Sequence, residues 1–452
     1  MAAPDLTSSA SRSTPAGDAA EPLRDDELAA LFTPLASFPL AILAVSGGAD
    51  SVALMRLAAR WQQRHAPYVT LQVATVDHGL RATARDEAYW VAQQAAVLGL
   101  EHTTLAWSGA KPATGIQAAA RQARYRLLAE HARAAAAASG PVAIVTAHTE
   151  DDQAETLLMR LARGSGLDGL TAMAEQRVIE AGCVLLRPLL GVSGARLRAT
   201  LGAEGQTWID DPSNDAERFE RVRLRKARAT LAGLGLTNEK IALSARRLAR
   251  AQAALDASVR ALQRDAALDT HAGAFAGFSY ATWSAAPEEL RLRLLARLIG
   301  AFGGQSEPLR LAPLEALVDR LTESEFEGST LGGAIVCRHG EDVRVLREPG
   351  RALLPAITLQ PGGSAVWDGR FRVSAAAEAA TPVEVRALGA QGFAELRQQL
   401  ARPRGLPAGA AATLPAFWHG AELIIAPHFA LLNGVSPAWG TAARLYSAEF
   451  LG

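Results

Sequence analysis

Residues 40–190 alternate short apolar runs with longer helical patterns, and this alternation restricts the fold more than any other feature of the chain. The apolar runs typical of buried strands are 40–45, 69–76 and 141–147. The segments with the apolar spacing of a helix are 51–64, 84–99, 116–138 and 152–163. Strands separated by helices of this length pair in parallel, with helices on both faces of the sheet. The sequence therefore predicts an α/β domain built on a parallel sheet.

The composition changes after residue 215. Long helices rich in Ala, Leu and Arg are predicted at 218–232, 237–265 and 286–302, so we expect an all-helical middle region. A glycine-rich hairpin is predicted within 327–348, and short strands beyond a Pro- and Gly-rich boundary indicate a small α+β domain. The predicted organisation is a disordered tail at 1–20, followed by domains at 21–225, 226–350 and 355–452.

Composition argues against several classes of protein. The 452 residues are 49% hydrophobic and 20% charged, which is typical of a globular protein. No run of eighteen uncharged apolar residues is present, so we expect no membrane partner. Cys183 and Cys337 are the only cysteines, and no Cys/His cluster exists to hold zinc or an iron–sulfur group. The first twenty residues lack the apolar core of a signal peptide, so we expect a cytoplasmic protein.

The turn after the first predicted strand is the glycine-rich segment SGGADS, residues 46–51. Its glycines let a ligand approach the backbone closely, and the free N–H groups at the start of a helix bind anionic oxygens. No lysine follows, so the pattern GxxxxGK[ST] of a γ-phosphate-binding loop is absent. The turn is therefore a candidate anion site of another kind, with a merely tight connection as the alternative interpretation.

Polar residues also follow the other two predicted strands, and in an open parallel sheet the ligand crevice lies beyond the carboxyl ends of the strands. Asp77 and His78 follow the second strand; a helix cap and a surface histidine are the alternative interpretation. His148 follows the third strand, and Asp152 and Glu155 share a helix face just after it. These carboxylates are suited to a metal, to an ammonium group or to both, or they simply cap the helix.

SGGxDS after a first strand resembles the signature of the PP-loop ATP pyrophosphatase superfamily, whose members cleave ATP between the α- and β-phosphates. Within it, several stretches together resemble the tRNA(Ile)-lysidine synthetase family: VDHGLR (76–81), GIQAAARQARYRLL (115–128), AHTEDDQAETLLMRLARGSGLDGL (147–170), RPLL (187–190) and WIDDPSND (208–215). Two positions depart from the family pattern, Thr149 in place of a second histidine and Val222 in place of an asparagine. The resemblance implies a Rossmann-like parallel sheet of the adenine nucleotide alpha-hydrolase type, then an all-helical middle domain and a small α+β domain.

The resemblance also implies a reaction, in which ATP adenylates C2 of the wobble cytidine in an isoleucine tRNA with a CAU anticodon. The amine of L-lysine then displaces AMP and forms lysidine. The implied ATP-binding residues are Ser46, Gly47, Gly48, Ala49, Asp50, Ser51, Asp77 and His78, with Asp50 also holding Mg²⁺. The implied catalytic residues are Asp50, Asp152, Glu155, His148 and Arg124, and the sequence leaves open which carboxylate accepts the proton of the lysine.

The formal net charge is zero, but the charge is not evenly spread. Residues 218–250 contain ten Lys or Arg residues against two Glu residues, which leaves a local charge of +8. Beside the motifs above, this segment predicts contacts to tRNA phosphates, with a solvated helix face as the ordinary alternative. The predicted tRNA-binding residues are Arg221, Arg223, Arg225 and Arg228.

Other functions remain as alternatives at this level. Another PP-loop activity, such as thiolation of a tRNA base or amidation of a small metabolite, uses the same nucleotide loop. A non-catalytic RNA-binding protein on the same fold is an alternative from a different class. The oligomeric state also stays open, with a homodimer as one option.

Overall fold

The computed structural model describes residues 20–81, 83–109, 111–112, 114–180, 182–210, 220–305, 309–350, 354–399, 406–428 and 442–452. The chain divides into two compact units, one up to Gln252 and one from Ala253 onward. The predicted tail lies outside the described residues except for residue 20, and so does the WIDDPSND stretch from residue 211 onward. The domain boundaries at 225/226 and 350/355 stay a prediction.

The first unit is built on a six-stranded sheet in the order β3-β2-β1-β4-β6-β5. Its strands are β1 (Leu40–Ala44), β2 (Thr70–Asp77), β3 (Glu101–Ala106), β4 (Val142–Thr146), β5 (Gln176–Glu180) and β6 (Cys183–Leu186). All neighbouring pairs are parallel except β5–β6, which is antiparallel. The carboxyl end of β1 therefore lies between the carboxyl ends of β2 and β4.

Helices cover both faces of this sheet, as the near-continuous apolar character of β1 predicts. Leu40 and Ile42 pack in a cluster with α4, whereas Ala41 and Leu43 pack on the opposite face with α2. The helices up to residue 265 are α1 (Asp25–Phe32), α2 (Ala49–His65), α3 (Ala84–Val97), α4 (Ile116–Ser139), α5 (Glu150–Ala162), α6 (Leu167–Leu170), α7 (Gly194–Ala203), α8 (Glu220–Gly233) and α9 (Asn238–Asp265).

The predicted strands and helices of residues 40–163 are confirmed as β1, β2 and β4 and as α2 to α5. Three strands were not predicted. The edge strand β3 has mostly polar and exposed residues, so it lacks the apolar run of a central strand. The hairpin β5–β6 places β6 beside β4 and adds an antiparallel edge to the parallel sheet.

The region after α9 contains a sheet as well as helices, so the expectation of an all-helical middle region was wrong in this respect. Its antiparallel strands run in the order β7-β10-β9-β8 and are β7 (Phe275–Ser279), β8 (Gly328–Leu331), β9 (Ala334–His339) and β10 (Asp342–Arg347). The predicted hairpin is β9–β10. β8 pairs with β9 across a two-residue turn, whereas β7 pairs with β10 from more than 60 residues away in sequence. The accompanying helices are α10 (Tyr280–Ser284), α11 (Glu288–Gly303) and α12 (Leu311–Leu321).

The last hundred residues form two small antiparallel sheets, which confirms their predicted α+β character. The strands are β11 (Ile357–Leu359), β12 (Ser364–Trp367), β13 (Phe371–Ala375), β14 (Val383–Ala387), β15 (Pro415–His419), β16 (Glu422–Ile425) and β17 (Tyr446–Phe450). Their orders are β11-β14-β15-β16 and β12-β13-β17, and α13 (Gly389–Gln399) and α14 (Ala408–Ala412) pack with them. In the described part of the chain, no helix combines the length and the apolar character needed to cross a membrane.

Candidate active site

The glycine-rich turn joins β1 to α2 and depends on a glycine at position 47. Gly47 has φ +91°, in the left-handed region that L side chains rarely adopt. A Cβ atom there would lie 2.7 Å from Cδ1 of Ile209, so the end of that side chain would have to move to make room for it. The backbone N–H of Ile209 also donates to the Gly47 carbonyl at 2.9 Å. The segment after α7 therefore packs directly on the loop.

The hydroxyl groups of two serines lie in the same loop, and one of them forms hydrogen bonds with its backbone. Ser51 Oγ donates to the Gly48 carbonyl at 2.9 Å and accepts from the Ser46 backbone N–H at 3.2 Å. The two Oγ atoms lie 3.3 Å apart. Gly48 is the N-cap of α2 and provides no capping side chain, so the first N–H groups of the helix face the loop without a side-chain cap. Such N–H groups with two hydroxyls form a site for the oxygens of a phosphate or pyrophosphate.

Asp50 lies at the start of α2 in an acidic environment. Its Oδ1 atom is buried and has no hydrogen-bond partner among the described residues. Burial and the neighbouring Asp152 carboxylate raise the pKa of Asp50 to about 6, against the opposite effect of the Arg198 guanidinium. A buried carboxylate oxygen without a partner is costly, and a cationic ligand at this position would offset the cost.

The third turn brings Asp152 to the same edge of the sheet. Thr149 is the N-cap of α5, and a capping box joins it to Asp152: the Thr149 backbone N–H donates to Asp152 Oδ2 at 2.9 Å. The Thr149 hydroxyl donates to the same oxygen at 3.1 Å. The predicted capping role of this carboxylate is therefore present. Its other oxygen, Oδ1, lies 4.0 Å from the guanidinium of Arg221.

Glu155, one turn further along α5, is buried and paired with an arginine. The Arg225 guanidinium donates to both carboxylate oxygens of Glu155, at 2.7 Å and 3.4 Å. Burial raises the pKa of Glu155 although the positive charge of Arg225 opposes the shift. The Glu155 carboxylate therefore has a cationic partner within the protein itself.

Asp151 joins three elements at the start of α5. It accepts from the Gly194 backbone N–H of α7 at 3.1 Å and from the Asn238 side-chain amide at the start of α9 at 2.5 Å. The Arg228 guanidinium of α8 lies 2.5 Å from the same carboxylate. Sequence reasoning did not assign Asp151 to the site, because its partners are far away in sequence.

The second turn places His78 and Arg124 near one another. Burial lowers the pKa of His78 to about 4, and the positive charge of Arg124 contributes to this shift. The His78 ring meets Trp107 edge-on with centroids 6.0 Å apart. Asp77 accepts from the Gly79 backbone N–H at 2.8 Å, so its carboxylate is engaged in its own turn. His78 is therefore neutral near pH 7, and Arg124 is the largest of several positive charges that act on it, together with Lys111 and Arg81.

His148 is neutral near pH 7 for the same reason. Burial lowers its pKa to about 4, with Asp152 favouring the charged form and Arg187 opposing it. Its Nδ1 atom lies 2.9 Å from the Thr146 hydroxyl at the end of β4. Arg187 is buried, and its guanidinium donates to the Ala174 carbonyl at 2.7 Å. The RPLL motif was the signal for Arg187, whereas nothing in the sequence pointed to Arg198 or Asn238.

The four predicted tRNA-binding arginines lie on α8, and three of them face the acids of α5. Arg225 pairs with Glu155 and Arg228 with Asp151, while Arg221 approaches Asp152. α5 and α8 are in contact along this line. The structure thus brings together the carboxylates of α5, the arginines of α8 and the loop that carries Asp50. Binding of tRNA by these arginines stays a prediction.

Comparison with known proteins identifies the family. Residues 23–230 match the family model described as a PP-loop domain, which implies the use of ATP. The curated tRNA(Ile)-lysidine synthase of Bradyrhizobium diazoefficiens is 45% identical over 352 residues, 73% of this chain and 96% of that protein. The enzyme of the same name from Ruegeria pomeroyi is 41% identical over 397 residues, 87% of this chain and 89% of that protein.

A third relative of the same name, from Methylobacterium nodulans, is 46% identical over 69% of this chain and 91% of that protein. The predicted Rossmann-like parallel sheet with a PP-loop is confirmed, and thiolation or non-catalytic RNA binding is not favoured. With a PP-loop domain and relatives matched over nearly their whole length, the chain belongs to the tRNA(Ile)-lysidine synthase family of enzymes.

Proposed function

We propose that the protein ligates L-lysine to C2 of the wobble cytidine in an isoleucine tRNA with a CAU anticodon, in the cytoplasm. In the first step the cytidine O2 attacks the α-phosphorus of ATP, and the bond to the leaving pyrophosphate breaks. In the second step the ε-amine of lysine attacks C2, the bond from C2 to the adenylated oxygen breaks, and AMP leaves. One proton is lost from the amine in forming the new bond from C2 to nitrogen.

The observation that carries this proposal is the juxtaposition of the glycine loop with the acids of α5. The loop supports binding of the pyrophosphate part of ATP, because it offers helix N–H groups and the hydroxyls of Ser46 and Ser51. No lysine is needed there, since the pyrophosphate leaves and no γ-phosphoryl group is transferred.

Asp50 is the residue we assign to Mg²⁺. The described residues contain no group of three or more His, Cys, Asp or Glu that could hold a metal ion. Mg²⁺ is commonly held by one or two carboxylates together with substrate phosphates, and the unpartnered Asp50 Oδ1 fits that arrangement. When bound, the ion neutralises charge on the phosphates.

We assign the lysine amine to the acids of α5. Asp152 and Glu155 supply negative charge next to the loop, as an ammonium group requires, and either carboxylate is suited to accept the proton. His148 and Arg124 complete the site, His148 as a neutral hydrogen-bonding group and Arg124 as a positive charge. The arginines of α8 support contacts to tRNA phosphates.

Lysine ligation tests the proposal directly. Protein, ATP, Mg²⁺, radiolabelled lysine and isoleucine tRNA with a CAU anticodon are incubated together, and label, AMP and pyrophosphate are measured. We expect label to appear on the tRNA with one AMP and one pyrophosphate released for each lysine. A folded protein that binds ATP and this tRNA but transfers no label would contradict the proposal.

Asp50→Asn is the matching variant, since it keeps the shape of the side chain but removes its charge. We expect AMP formation to fall by at least about a hundredfold while tRNA retention on filters is unchanged. Asp86→Asn is the control, because Asp86 is an exposed acid in the first turn of α3. Equal losses in both variants, or joint loss of AMP formation and tRNA retention, would remove Asp50 from the assigned role.

A further inference from the structure

In each ion pair between α8 and α5 the acid is more buried than the arginine. The exposed fraction is 6% for the Glu155 side chain and 45% for that of Arg225. For Asp151 and Arg228 it is 20% and 43%. The arginines therefore lie on the solvent side of the pairs and cover the acids of α5.

The arginines form a regular stripe along α8. Arg221, Arg225 and Arg228 are spaced four and three residues apart, so they share one face of the helix. The closest N–O distances to the acids are 4.0 Å for Arg221–Asp152, 2.7 Å for Arg225–Glu155 and 2.5 Å for Arg228–Asp151. Three acids thus face three arginines, and each of these acids has a cationic partner within the protein.

Because the arginines already pair with the acids of α5, they compete with the ammonium group of a lysine substrate. Both oxygens of Glu155 already accept from Arg225, so the protein holds a cation of its own where we assigned the substrate amine. Removing Arg225 without replacement would leave a buried carboxylate unpaired, which costs several kcal/mol. The carboxylate is therefore released only if another cation takes the place of the guanidinium.

A phosphate is the partner that competes best for these arginines. A guanidinium binds phosphate oxygens in the same two-point geometry as a carboxylate, and the arginines are half exposed. The acids they cover are not accessible to a polyanion and would repel it. A tRNA backbone lying along α8 would therefore attract the arginines away from α5.

We propose that the stripe of Arg221, Arg225 and Arg228 exchanges partners when tRNA binds. In the free protein it neutralises the acids of α5 and competes with lysine; in the complex it contacts tRNA phosphates and leaves Glu155 to the lysine ammonium. The inference rests on the proposed function and adds an order to it, with tRNA binding before lysine. The arginines would thus prevent the acids of α5 from binding lysine while no tRNA is present to accept it.

The test measures lysine affinity with and without tRNA. Equilibrium dialysis uses radiolabelled lysine in the presence of α,β-methylene ATP, which cannot release pyrophosphate, and isoleucine tRNA with a CAU anticodon. We expect tRNA to tighten lysine binding by at least about tenfold, and lysine to tighten tRNA binding by the same factor. Equal lysine affinity in the two states overturns the exchange.

Arg225→Gln removes the competing cation. We expect lysine binding to the tRNA-free protein to tighten toward the value of the tRNA complex, so that the effect of tRNA falls from about tenfold toward unity. Arg225→Lys keeps a cation and is expected to retain the coupling. Arg126→Gln is the control, because it breaks an exposed Arg126–Glu130 pair of the same chemistry on α4. It should behave as the wild type.

The outcomes separate the exchange from a structural role of Arg225. If Arg225→Gln binds ATP normally but weakens lysine binding equally in both states, the arginine merely holds Glu155 and the proposal is overturned. If the wild type ligates lysine but binds it equally well with and without tRNA, the exchange is wrong and the proposed function stands. If the wild type neither binds nor ligates lysine, both are rejected.

Discussion

Gly47 shows how one residue determines whether the nucleotide loop can form. Its positive φ strains any L side chain, and an added methyl group would have to displace the end of the Ile209 side chain. The motif SGGxDS revealed the need for a glycine, but the reason for the second restriction lies in a segment more than 150 residues away. The loop geometry is thus partly local and partly imposed by packing.

Replacing Gly47 by alanine tests the two restrictions separately. We expect Gly47→Ala to lose at least about tenfold in AMP formation, because overpacking of about 1–3 kcal/mol displaces the loop. Gly99→Ala is the matched control, since Gly99 has φ +71° but no described atom lies within 4 Å of an added Cβ. It should lose about 1 kcal/mol of stability and no activity. Comparable loss of activity in both variants would mean that backbone strain at positive φ, and not the contact with Ile209, is responsible.

At the scale of secondary-structure elements, the site depends on hydrogen bonds and ion pairs between helices. Asp151 of α5 is bonded to α7 and to the first residue of α9, and it pairs with α8. These contacts position the acids of α5 relative to the glycine loop. Because the partners come from three separate segments, no pattern within α5 predicts them.

Removing the Asp151 carboxylate should therefore destabilise the first unit. We expect Asp151→Ala to lower the free energy of unfolding by about 2 kcal/mol, because three donors lose a half-buried acceptor. Urea titration of the full chain measures this loss. Asp86→Ala, at an exposed position in α3, should change it by less than about 0.5 kcal/mol. An unchanged midpoint for Asp151→Ala would show that these bonds are not needed.

An ion pair between α1 and α7 makes the free energy of unfolding depend on pH. Both carboxylate oxygens of Glu27 accept from Arg196, at 3.0 Å and 2.9 Å. This pairing lowers the pKa of Glu27 from 4.5 to about 2. The unfolded chain binds the proton more readily, so the stabilisation is fully present above pH 4.5 and is lost as the pH falls toward 2.

Glu27→Gln should remove this contribution. We expect the wild type to be more stable than the variant by about 1 kcal/mol at pH 7, a value reduced for partial exposure of the pair. The difference should shrink between about pH 4.5 and pH 2 in denaturant titrations. Glu130→Gln, which breaks the exposed pair with Arg126, should show a smaller difference at pH 7. A pH-independent difference for Glu27→Gln would contradict the assignment.

At the scale of the whole molecule, positive and negative charges are equal in number, but the positive charges are concentrated in one segment. The chain has a formal net charge of zero, whereas residues 218–250 have a local charge of +8. Attraction of a polyanion therefore depends on a few residues rather than on the total charge. In the structure, part of this positive charge already faces the acids of α5.

Salt dependence measures how many of these charges meet tRNA. We expect Arg223→Gln, Arg225→Gln and Arg228→Gln combined to weaken tRNA binding and to reduce the slope of log K against log[salt] by about 2–3. Filter binding between 50 and 200 mM salt, roughly the range over which such contacts weaken, gives the slope. Arg126→Gln should leave it unchanged. An unaltered slope in the triple variant would remove α8 from the tRNA interface.

The central sheet was the most predictable part of the fold. β1, β2 and β4 are buried on both faces, so each is a continuous apolar run that contrasts with the helices around it. Edge strands such as β3 and β5 have fewer buried positions and were missed. The sheet β7-β10-β9-β8 was missed beyond its hairpin: β7 pairs with a strand more than 60 residues away in sequence, and β8 is only four residues long.

The sequence alone determined the nucleotide loop, the strand ends that carry polar residues and the basic segment of α8, since these features are local. Only the tertiary structure decided their relation: Asp50 has a buried oxygen without a partner in the part of the chain that the structure describes, and Glu155 is paired with Arg225, 70 residues away. Burial and long-range ion pairing arise when distant segments pack together. A motif can therefore name the charged groups of a site, but packing decides which of them are free to bind a substrate.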